Sequence, residues 1–100
     1  MGTLHYGRSG VELDVSDRLL AHLQLAINSK LRRGQSFSLT WTIPVHQGSG
    51  RMTVWIDASI SLRFHYDQTT MQVIDRQWVD HLVRRANSPQ GLELADELTQ

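Results

Sequence analysis

The chain predicts an α+β fold: an antiparallel β-sheet with two α-helices packed on one face, in the order β-β-α-β-β-β-α, with room for a short last strand. Three observations predict it. Segments that alternate apolar and polar residues have the period of strands with one buried face. Two segments repeat apolar residues at helical spacing. The 100 residues are 40% apolar and 20% charged, which suits one modest core and is too apolar for a disordered chain. Residues 1–100 are therefore read as a single domain, with the acidic tail 96–100 fraying.

The first strands are Leu4 and Tyr6, then Val11, Leu13 and Val15, joined by Gly7-Arg8-Ser9-Gly10 as a hairpin turn. Ser16 caps the first helix, from about Asp17 to Arg33, with Asp17 where the helix dipole favours an acid. Leu19, Leu20, Leu23, Ala26, Ile27 and Leu31 share its apolar face. Arg32, Arg33 and Gly34 close it, two cations and then a glycine suited to the left-handed position. A long strand follows through Phe37, Leu39, Trp41, Ile43 and Val45, and a partner through Met52, Val54 and Ile56. Reading Gln47–Gly50 as a four-residue loop sets Val45 opposite Met52, Ile43 opposite Val54 and Trp41 opposite Ile56. A further strand carries Ile60, Leu62, Phe64 and Tyr66 on one face. The polar loop Asp67 to Ile74 is expected to be mobile. Asp75 caps a second helix to about Ala86, with Trp78, Val79, Leu82, Val83 and Ala86 at helical spacing and Asp80–Arg84 as an exposed i,i+4 pair. Leu92 and Leu94 allow the short last strand.

Ten basic and ten acidic side chains cancel, so no global field draws the chain to nucleic acid or membrane. No cysteine is present, which excludes disulfides, thiolate metal sites and a catalytic thiol. The amino-terminal residues lack the pattern of a signal peptide, and no apolar run approaches a membrane span. A cytoplasmic protein without cofactor is the expectation. The five histidines have no metal-ligand spacing, although His5 and His65 could meet on neighbouring strands. No serine sits in a Gly-x-Ser-x-Gly elbow, and no acid/base pair stands out.

Met1–Gly7, Asp17–Leu23 and Ser29–Phe37, with Gly50-Arg51, Val54-Trp55, Ser59-Ile60, Leu62-Arg63-Phe64, Trp78 and Ala86-Asn87-Ser88, carry a resemblance over nearly the whole chain. It resembles a family of small actinobacterial proteins of unknown function that often bear the automatic label "ATP-dependent DNA ligase". The label implies adenylylation of a lysine within Lys-x-Asp-Gly. The only lysine here reads Lys30-Leu31-Arg32-Arg33, and the length leaves no room for both domains of such a ligase. Ligase activity is therefore not expected.

Lys30 falls within the apolar stripe of the first helix. The plain expectation is that its stem covers apolar surface while its ammonium escapes beside Arg32 and Arg33. The functional alternative is an anion or nucleic-acid site built from Lys30, Arg32, Arg33, Arg51 and Arg63. Trp55 is expected on the solvent face of the sheet, with Thr42, Thr53, Arg63 and His65. With Leu25, an exposed leucine on the polar side of the helix, Trp55 points to a homo-oligomer interface. The resulting expectation is a non-catalytic binding or assembly domain that partners itself, with a nucleic-acid accessory module as the alternative.

Overall fold

A computed structural model describes residues 1–94. The expectation for tail 96–100 lies outside them. The elements are β1 (Gly2–Tyr6), β2 (Val11–Val15), α1 (Asp17–Arg32), β3 (Phe37–Thr42), β4 (Arg51–Ile56), β5 (Leu62–Tyr66), α2 (Arg76–Ala86) and β6 (Leu92–Glu93). The α+β class and the element order match the sequence reading.

The caps form as their residue types dictate. The Ser16 hydroxyl accepts the Leu19 N–H at 3.1 Å. Asp75 accepts the N–H groups of Gln77 and Trp78 at 3.0 and 3.3 Å. Each bond satisfies a donor that the first helical turn leaves unpaired. Beyond α1, Gly34 takes a φ of 69°, and the Gln35 N–H returns to the Lys30 carbonyl at 3.1 Å.

The strands divide between two three-stranded sheets, ordered β2-β1-β5 and β4-β3-β6. β5 pairs antiparallel with β1, not with β4, the strand before it. β3 pairs antiparallel with β4 and parallel with β6. α1 packs against β1 and β5, α2 against β3 and β6, and the helices pack on one another. His22 of α1 meets Trp78 near the start of α2, and Lys30 meets Asn87 at the end of it. The two helices therefore run parallel, with their carboxyl-terminal ends together.

The core lies between helices and sheets. Leu4, Leu20, Leu23, Ile27, Leu39, Ile56, Leu82 and Leu92 are all at least 99% buried. Each such side chain contributes roughly 1.5–3 kcal/mol when removed from water.

The β3–β4 register differs from the expected one. Trp41 lies opposite Met52, Leu39 opposite Val54 and Phe37 opposite Ile56. Pro44 marks the departure: its carbonyl accepts the Gln47 N–H at 2.9 Å and the Ser49 N–H at 3.1 Å, closing a turn where strand was expected. The chain leaves the sheet there for a 3-10 turn at Val45–Gln47, and Val45, expected in the core, is 87% exposed. The slip spans an even number of residues, so every β4 side chain keeps its expected face. Gly91 seats β6. Its φ is 76°, and a Cβ there would lie 2.4 Å from the Ser38 carbonyl oxygen.

Candidate functional site

The outer face of β4-β3-β6 carries one set of expected residues. Ser38 lies opposite Trp55, Thr40 opposite Thr53 and Thr42 opposite Arg51. The Thr40 and Thr53 hydroxyls are 2.8 Å apart. Trp55 is 56% exposed, a large apolar surface left in water on a sheet whose reverse is core. Arg63 and His65, expected beside Trp55, belong to the other sheet, because β5 pairs with β1. There Arg63 lies opposite His5 and His65 opposite Thr3.

β4 is also an edge strand, and its edge is partly covered. The Ile43 N–H bonds the Gly50 carbonyl at 2.8 Å, so Met52, Val54 and Ile56 direct their backbone groups at β3 by alternation. Arg51, Thr53 and Trp55 direct theirs outward. The Tyr6 hydroxyl donates to the Trp55 carbonyl at 2.7 Å. β1 thereby blunts this edge against pairing with another chain.

Lys30 departs from its expected position. It is only 4% exposed, and its ammonium turns away from Arg32 and Arg33. Nζ donates to Gln35 Oε1 at 3.1 Å and to Asn87 Oδ1. It stands 6.0 Å from the centre of the Phe37 ring. The cause is α2, whose end closes over the route to solvent. A cation between two helix carboxyl termini is favoured by both dipoles. Among the described residues no carboxylate pairs with it. Lys30 and Trp55 line the same cleft, of about 440 Å³, with Ser36, Phe37, Ser38 and Asn87.

Arg32 and Arg33 line a different groove, of about 560 Å³ between the helices, whose lining also includes Arg76 and Arg84 of α2. None of these four guanidinium groups joins an ion pair among the described residues. The expected Asp80–Arg84 pair does not form, although both line the groove. Arg51 and Arg63 sit on separate sheets. The five cations read from the sequence as one site are therefore divided. Leu25 is half-buried against the core and lines this groove, not the Trp55 face.

Two participants escaped the sequence reading. His22, placed on the polar side of α1, is fully buried. Its Nδ1 lies 2.7 Å from the Arg18 carbonyl, and its Nε2 accepts the Asp75 N–H at 2.8 Å. Those partners fix the neutral tautomer with the proton on Nδ1. The helical signal was present: His22 stands three residues after Leu19 and four before Ala26, both core positions. Asp57, just beyond β4, accepts from the hydroxyls of Ser36 and Ser59, both at 2.5 Å. The Ser36 bond, followed by those of Ser59, holds its carboxyl down at about 2.

Among the described residues no His/Asp/Glu group is placed to hold a metal ion, and no helix is long and apolar enough to cross a membrane. No curated protein and no solved structure was found to match the chain. The family model described as "Domain of unknown function (DUF7882)" matches residues 1–97, and the chain belongs to that family.

Proposed function

We propose that this chain is a non-catalytic assembly domain that self-associates through the outer face of β4-β3-β6. The observation that carries it is Trp55, 56% exposed on an uncovered sheet face, with Arg51, Thr53, Thr40 and Thr42 around it. Tryptophan and arginine are enriched where interfaces concentrate their binding energy. A two-fold axis near Thr53 sets Trp55 of one copy against Arg51 of the other, a cation–π pairing. Association is through the face rather than the edge, because Tyr6 occupies the Trp55 carbonyl. Light scattering on a size-exclusion column tests this. A dimer or larger species at tens of micromolar is expected, with Trp55→Ala shifting it to monomer. A clean monomer at high micromolar concentration sinks the reading.

A second reading, a nucleic-acid accessory module, is favoured by the groove whose lining includes Arg32, Arg33, Arg76 and Arg84. Phosphate binding there must weaken steeply with salt. A gel shift at low and high salt decides it, and no salt-sensitive shift with single- or double-stranded DNA removes it.

A further inference from the structure

We propose that the cleft at Lys30 binds a small oxyanion carrying a flat ring, such as an aryl carboxylate or an aryl phosphate. This goes beyond the assembly reading and requires no second copy of the chain.

The charge is the first reason. Lys30 is 4% exposed and has no carboxylate partner among the described residues. Its two recorded acceptors are neutral amide oxygens, from Gln35 and Asn87. An ammonium has three N–H donors, so one remains for a ligand. Beyond those amides only the partial charges of the two helix carboxyl termini face it, and a buried cation without a full countercharge is costly to keep. An entering anion supplies the missing countercharge in a setting where water screens little.

The cleft itself is the second reason. Its volume of about 440 Å³ is that of a small-molecule site. Trp55 and the hydroxyl-bearing Ser36, Ser38 and Ser88 are among its lining residues with Lys30. Ser36 is already committed to Asp57, so Ser38 is the hydroxyl without that obligation. The aromatic wall suits a planar group, since stacking needs only a π-face.

The walls are held in place, which is the third reason. Gly91 brings the α2–β6 connection against the Ser38 backbone. Ser88 Oγ lies 2.8 Å from the Arg85 carbonyl and 3.1 Å from the Gly91 carbonyl. The Asn87 N–H closes the end of α2 on the Val83 and Arg84 carbonyls. Ordering this site on binding therefore costs little.

Calorimetric titration of the full chain with benzoate, phenyl phosphate, inorganic phosphate and benzyl alcohol tests the proposal. Saturable one-to-one binding of benzoate or phenyl phosphate, roughly millimolar or tighter, is expected. Preference between those two identifies the oxyanion. Benzyl alcohol lacks the charge and inorganic phosphate lacks the ring, so each is expected to bind at least tenfold more weakly. Lys30→Met is expected to lose at least tenfold in affinity, and Trp55→Ala at least threefold. Amide chemical-shift changes in the natural chain keep the test decisive if Lys30→Met fails to fold. They are expected at residues 30, 36–38, 55, 86–88, 90 and 91. Binding equally strong to Lys30→Met, shifts centred instead on Arg76 and Arg84, or no binding by either aryl anion overturns the proposal. Trp55 serves both readings, so light scattering on the same samples reports the assembly state, and Lys30→Met, which leaves the outer sheet face intact, separates loss of binding from loss of assembly.

Discussion

Replacing His22 by phenylalanine keeps a flat ring against Trp78, where the centroids are 4.3 Å apart, but removes both ring nitrogens. The Arg18 carbonyl suffers little, because the helix itself offers it the N–H four residues on. The Asp75 N–H suffers more. It sits at the cap of α2, and the His22 Nε2 is its acceptor at 2.8 Å. A lost internal hydrogen bond with its donor left under a covering ring costs about 2 kcal/mol. For a domain of this size that lowers the melting temperature by roughly 8–16 °C. Urea unfolding followed by circular dichroism reads the loss. Hydrogen exchange at the Asp75 amide reads the mechanism: protected in the natural chain, faster in His22→Phe. A variant within about 0.5 kcal/mol of the natural chain, given the usual spread of neutral surface changes, would refute the reasoning. So would an unprotected Asp75 amide before any substitution.

Two further outcomes follow from the geometry. Gly91→Ala forces a side chain to a φ of 76° and a Cβ to 2.4 Å from the Ser38 oxygen, so unfolding experiments should show a loss of about 3 kcal/mol or more. Gly34→Ala, at a φ of 69° with nothing within 4 Å, should cost only the backbone term of about 1 kcal/mol; equal losses at both glycines would contradict the close approach of Gly91. Asp57 has a folded pKa of about 2 against its ordinary 3.8, so the folded state takes up this proton less readily than the unfolded chain. Its stabilising contribution is complete above about pH 4 and disappears as the pH falls to about 2. Stability measured across that window should therefore decline in the natural chain and decline less steeply in Asp57→Asn.

Periodicity made much of the fold legible. β1, β2, α1 and α2 follow from alternation or helical spacing, and Ser16 and Asp75 announced their caps. The faces of β3 and β4 were readable even though their register was not, because a slip of even length leaves the faces alone. Pro44 marks where the strand gives way to a turn closed on its carbonyl. The division into two sheets was not readable. Which edge accepts β5 depends on where β1 lies, and no local pattern encodes that. The site was partly legible for the same reason. Trp55 was placed from its own strand, whereas Lys30 and His22 were misplaced because a helix wheel drawn for α1 alone omits the α2 that covers them.

The placement of β1 and β3 also bears on how the chain reaches this structure. Each begins in a hairpin with its neighbour in sequence, β1 with β2 and β3 with β4. Each must then accept a strand from much later, β5 in one case and β6 in the other. Closing such distant pairings carries a loop entropy that local contacts have not yet repaid. The expected order is therefore hairpins first, with the outer edges of β1 and β3 still unfilled, and Leu62–Tyr66 and Leu92–Glu93 docking later, an order that pulsed hydrogen exchange during refolding checks. During that interval the unpaired edges are the surfaces most prone to join the wrong chain.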